Sequence, residues 1–142
     1  MFVDPAWDTM FGPVRESVET MIDQREFETL VDQALSEIPG EFLDNLENIE
    51  VIVEETPPRE ILRQFKLEGR GTLFGLYQGV PLTRRSVFQP FSMPDRITIF
   101  RVPILQVCRT RQQIIEQVKR TVIHEIAHHF GISDQRLREL GY

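Results

Sequence analysis

The sequence predicts an α+β fold: N-terminal helices, a small mixed β-sheet of three to five strands, and a long C-terminal helix packed across that sheet. Three observations carry this reading. Apolar residues recur at helical spacing through residues 27–38 and 115–126, the chain between them changes to short β-branched runs, and glycines and prolines separate those runs. At 142 residues the chain is long enough for one buried core, so residues 1–142 are read as a single domain.

Taken in order, Val14, Val18, Met21 and Ile22 fall at helical spacing after Pro13, which predicts a short first helix. Phe27, Leu30, Val31, Ala34, Leu35 and Ile38 then repeat at i, i+3, i+4, i+7, a one-sided helix that Pro39-Gly40 stops. EVIVEE (50–55), GTLFGLYQG (71–79) and RITIFRV (96–102) read as strands. Gly69, Gly71, Gly75 and Gly79, with Pro81, Pro90 and Pro94, mark the intervening segments as turns and loops. Thr110-Arg111-Gln112-Gln113 has the form of a capping box and opens the last helix, expected to end near Phe130 with Gly131 as its cap. Along that helix Ile115, Val118, Val122 and Ile126 form an apolar stripe. Gln113, Gln117, Thr121, His124 and His128 lie on a separate polar line.

The net charge of −6, with both signs mixed along the chain, argues against nucleic acid or an anionic membrane as the main partner. Cys108 is the one cysteine, which excludes a disulfide framework and a zinc site built on thiolates. No signal-peptide pattern and no apolar run of roughly 20 residues is present, so a soluble, cytoplasmic protein is expected.

All three histidines fall within TVIHEIAHHFGISD, residues 121–134. His124-Glu125-Ile126-Ala127-His128 is an HExxH motif. Residues four apart on a helix differ by about 40° in angle and about 6 Å in rise, so both imidazoles can reach one ion. Glu125 projects toward the neighbouring flank, where a carboxylate can take a proton from water activated by the metal. A catalytic Zn2+ needs a third protein ligand. His129 is rotated about 100° from His128 and falls in phase with the apolar stripe, so it is read as a packed, hydrogen-bonded histidine of the core or supporting shell. Asp134 is the third-ligand candidate, brought back by a turn at Gly131; its alternative role is the N-cap of a short final helix, QRLREL, with Glu139 as the fallback ligand.

HEIAHHFGISD fits HExxHxxGxxD and resembles the long zinc-binding pattern of the metzincin-type zincins, with an aspartate where most members have a third histidine. LYQGVPLTRR (76–85), MPDRITIFRVPI (93–104) and TVIHEIAHHFGISDQRLRELGY (121–142) resemble more narrowly the small bacterial minimal zincins, zincin-like zinc metallopeptidases. The resemblance covers roughly residues 25–142 and leaves residues 1–24 as an N-terminal extension. It implies His124, His128 and Asp134 as metal ligands, Glu125 as general base, Zn2+ as cofactor and a peptide or protein as substrate. No methionine follows His128, unlike the metzincins with their methionine-containing turn. The lower half of the cleft is then expected to be absent or to come from the N-terminal segment, residues 79–90 or another subunit.

The expected function is therefore a zinc-dependent metallopeptidase. The alternative is a zinc-binding peptide or protein interaction module with little or no hydrolytic activity; a metalloenzyme for non-peptide amides or esters is a third reading. The strand of Leu76 and Tyr77, or that near Val87 and Phe88, is expected to hold an extended substrate. Tyr77, Arg84 and Arg85 are candidate oxyanion or carboxylate contacts, weighed against a solvated face and kept out of the catalytic set. Substrate identity and oligomeric state are not legible in these residues.

Overall fold

The computed structural model of the chain describes residues 22–65, 73–79 and 95–142. The helix expected after Pro13 lies, except for Ile22, outside the described residues, as do Arg84, Arg85, Val87 and Phe88. Helix α1, Gln24–Ser36, opens on Asp23, whose carboxylate accepts from the Glu26 backbone N–H, and buries Phe27, Leu30, Val31 and Ala34. Pro39 then begins a new helix, α2 (Gly40–Leu46), by serving as its N-cap. A proline lacks only an N–H that a helix start leaves unused, so the residue pair read as a stop is also a start.

Strand β1 (Ile49–Glu54) leads into α3 (Arg59–Gln64), followed by β2 (Gly75–Gln78) and β3 (Asp95–Phe100). RITIFRV was expected to be extended throughout, but the strand stops at Phe100 and the chain passes directly into α4, Arg101–Val107. Pro103 sits in the first turn of α4, where its ring is tolerated, and the apolar run around it carries no period that separates strand from helix. Helix α5 (Arg111–His129) and the short α6 (Asp134–Glu139) complete the described elements.

The sheet order is β1-β3-β2, with β1 parallel and β2 antiparallel to β3. This is the mixed sheet of the expected α+β class, with three strands among the described residues. The central strand buries Ile97, Thr98, Ile99 and Phe100, so both of its faces are covered. Helix α5 lies between the sheet and α1 and buries Ile114, Ile115, Val118, Thr121, Val122, Ile123, Ile126 and Ala127. The buried band is broader than one stripe because packing comes from two sides. No helix of the described residues is long and apolar enough to cross a membrane.

Two details place β2 against α5. The Phe100 N–H donates to the Phe74 carbonyl at 2.9 Å; by the alternation of an antiparallel ladder, the backbone groups of Gly75 and Tyr77 then point away from β3. At Gly75 strand and helix nearly touch: a Cβ there would stand 2.6 Å from Thr121 Cγ2 and 3.1 Å from the Thr98 carbonyl oxygen. Thr121 cannot swing aside freely, because its hydroxyl donates to the Gln117 carbonyl at 2.8 Å and accepts from the Gln117 side chain. Gly75→Val is expected to destabilise the fold by about 1–3 kcal/mol through overpacking, read as a lower urea midpoint with an unchanged slope. An unaltered midpoint would contradict this close contact.

Candidate metal centre

The burial of α5 fixes its roll, and the roll places the HExxH residues. Thr110 caps the helix by accepting from the Gln113 N–H, while the Gln113 side chain reaches back to the Arg109 N–H at 2.7 Å. The reciprocal bond of the box is thus displaced by one residue. With Val122, Ile123, Ile126 and Ala127 held in the core, His124 sits at the edge of the buried zone, Glu125 on its flank and His128 in the open. His124 and His128 present their rings 6.0 Å apart, nearly perpendicular.

The turn after α5 is fixed by hydrogen bonds. Gly131 adopts φ +77°, the Ile132 N–H bonds back to the Ala127 carbonyl at 2.8 Å and the Gly131 N–H to the His128 carbonyl at 3.3 Å. This is a Schellman closure, which needs a left-handed residue and therefore favours glycine. Ile132 packs back on the core and Ser133 caps α6 by accepting from the Arg136 N–H. Since Ser133 is the cap, the carboxylate of Asp134 is not required for that role. Its Oδ1 lies 3.0 Å from His128 Nε2.

One ligand atom from each of His124, His128 and Asp134 falls within 4.8 Å of the others. His124 Nε2 is buried and has no hydrogen-bond partner among the described residues. An orphaned buried imidazole nitrogen costs free energy unless something accepts its lone pair or its proton. Burial, then the charges of His128 and Arg120, hold the His124 pKa below the usual histidine value, against a smaller opposite effect of Asp134. The neutral ring that results is the metal-binding form. His128 and Asp134 are 53% and 69% exposed at their side chains, so the cluster is open on one side. Two imidazoles and a carboxylate around an open position are a donor set that fits zinc. Glu139 takes no part in the cluster; it pairs with Arg136 at 3.1 Å.

Glu125 is held apart from these three. Its Oε2 accepts the outward Tyr77 N–H of β2 at 3.2 Å. Burial raises its pKa, partly offset by the bond from Tyr77 and the charge of His128.

A sequence model of the zincin-like metallopeptidase family matches residues 46–142. The chain belongs to this family. The match begins at Leu46, so α1 lies before the portion that defines this zincin-like chain. Among solved structures it is similar to a conserved hypothetical protein from Thermo thermophilus, with 26% identity over 77% of this chain and 94% of that chain and a TM-score of 0.50. No curated protein matches significantly.

In the zincin-like chain the hydroxyl of Tyr77, a candidate oxyanion or carboxylate contact in the sequence, is turned to another partner. That hydroxyl donates to Asp95 Oδ2 at 2.6 Å, and its ring stacks on His129 with centroids 3.9 Å apart and an interplanar angle of 16°. His129, expected in the core or supporting shell with a hydrogen bond, is instead 39% exposed at its side chain, with Nε2 4.0 Å from Asp95 Oδ2. Its place in the last turn of α5 carries it past the buried band and over the end of β2, where Gly79 approaches its ring. Asp95 was missed because an acidic residue opening a strand has no local signature. Ser133 could have been found, since serine followed by a helical run is a strong N-cap signal.

Both titrations weaken the fold as pH falls, in different pH windows. A lowered His124 pKa means the unfolded chain takes up this proton first, so this group weakens the fold as pH falls through about 6.5. The hydrogen bond from His128 lowers the Asp134 pKa below 3.8, so its contribution is present above that value and lost only as pH falls through the lower, folded one. In metal-free protein, an NMR titration of the His124 ring is expected to give a midpoint below 6.5; a midpoint at or above that value would contradict its desolvated setting.

Proposed function

We propose that the chain is a zinc-dependent metallopeptidase in which His124, His128 and Asp134 hold the metal and Glu125 is the general base. The observation that carries this reading is the convergence of those three donors, one of them a buried nitrogen without a partner, beside a desolvated carboxylate on an edge strand. Zinc, when bound, supplies Lewis acidity, polarising the scissile carbonyl and making water easier to deprotonate.

The chain's own residues do the rest. Burial raises Glu125 toward the range in which a carboxylate both accepts and returns a proton near neutrality, as a base for attacking water and then an acid for the departing amine. The Tyr77 N–H keeps the carboxylate on the β2 side of α5. Strand β2 lies at one edge of the described sheet, and a peptide held extended beside it would present its carbonyls along the line from Gly75 to Gln78. The Tyr77 hydroxyl, committed to Asp95, braces this edge rather than meeting an oxyanion.

Glu125→Gln is the decisive variant. It is expected to retain about one zinc per chain and to lose roughly 10²–10⁴-fold in peptide hydrolysis, the usual contribution of a positioned acid–base group. Unchanged hydrolysis would overturn the assignment, while zinc binding without hydrolysis in the wild type would favour the interaction module. His124→Ala and Asp134→Ala are expected to lower zinc content measured by elemental analysis; retention of full zinc in Asp134→Ala would remove the third ligand.

A further inference from the structure

Resting on the metallopeptidase reading, we infer that Arg120 and the cavity beside it bind a carboxylate of the peptide substrate, making Arg120 a specificity-determining residue. The cavity, about 480 Å³, runs along α5 from Gln112 to Arg120 and stops one helical turn short of His124. Its apolar lining is Phe74, Val107 and Cys108; its polar lining is Gln112, Gln113, Gln117 and Arg120, together with the Glu116 carboxylate. Phe74 directly precedes β2, so the cavity opens beside the start of the strand whose middle holds Glu125.

The cation is available. Arg120 is exposed and makes no ion pair or hydrogen bond with any described residue, although Glu116 stands four residues before it, at the spacing where helical ion pairs form. Glu116 is engaged elsewhere: it accepts from Gln112 at 3.2 Å and pairs with Lys119 at 3.5 Å.

The apolar part of the lining, Phe74, Val107 and Cys108, suits the stem of a side chain that carries an anion. Burial raises the Cys108 thiol to about 12, so it adds no negative charge. The side-chain oxygen of Gln113 is occupied by the Arg109 N–H, which leaves its amide nitrogen as a second donor. The guanidinium fork of Arg120 matches the acceptor sites of a carboxylate, while the Gln113 amide, turned back toward Arg109, is a separate donor at the other end of the cavity. Two sources share this chemistry, an Asp or Glu side chain and the C-terminal carboxylate of a short peptide.

Three kinds of fluorescein-labelled octapeptide separate them: a neutral amidated peptide, a set with Glu stepped through each position, and the neutral sequence with a free C-terminus. Binding to zinc-loaded Glu125→Gln protein is followed by anisotropy, and cleavage by wild type in parallel. At least one carboxylate peptide is expected to bind about tenfold more tightly than the neutral one, the scale of one charge-assisted hydrogen bond. Arg120→Gln should bring that ratio to about one, and Arg120→Lys should restore part of it. A preference for Glu at one position identifies a side-chain site; a preference for the free terminus identifies a carboxypeptidase-like site. Equal binding of all three kinds of peptide, absence of binding, or a preference that survives Arg120→Gln would overturn the inference. Cleavage without preference sinks only this inference, whereas carboxylate-selective binding without cleavage sinks only the peptidase reading.

Discussion

The packing of α5 between the sheet and α1 is the constraint on which the other features depend. Eight buried residues on two sides leave the helix one rotational setting, and every residue of chemical interest on it is placed by that setting. His124 stops at the edge of the core because Ile123 and Ile126 are within it; His128 and Asp134 remain in the open because the helix has run past the sheet. The gradient of burial along one helix therefore produces a cluster with one desolvated donor and two exposed ones. That combination could hold an ion while leaving room for a further ligand.

Much of this was legible in the sequence where a rule is local. The period of α5, its Thr110 start, its Gly131 stop and the HExxH spacing are all set by residues within one or two turns of each other. What the sequence hid depends on contacts across the fold. The Glu125 carboxylate meets the Tyr77 N–H over a separation of 48 residues, and the near-contact of Gly75 with Thr121 joins segments equally remote. Of the two places read for His129, core or supporting shell, the core was excluded for a related reason: phase along a helix says which side a residue faces, but not whether a neighbour extends far enough to cover it. The apolar run after Phe100 concealed α4 because a doubly packed segment has no alternating period.

The two ends of the cleft differ in chemical character. Toward Gly79 the surface is aromatic, with Tyr77 stacked on His129 and Phe130 edge-on to the same ring at 5.0 Å. Toward Phe74 it is amide-rich and carries the Arg120 cation. A peptide lying along β2 would cross from one environment to the other at Glu125, so polarity across the reacting bond is available as a means of discrimination even in a small site.

The bond between Glu125 and Tyr77 also bears on self-association. An edge strand with unpaired outward N–H groups is a template for pairing with another chain, and charged groups placed at the edge are one means by which sheet proteins prevent it. Here the blocking charge comes from α5 rather than from the strand itself. A residue suited to accept a proton is thereby also placed to guard this edge of the described sheet. Truncating it to alanine exposes a backbone donor as well as removing a base, whereas glutamine keeps an acceptor in place. Loss of solubility and loss of catalysis would have one origin in the first variant, whereas the second would lose catalysis alone.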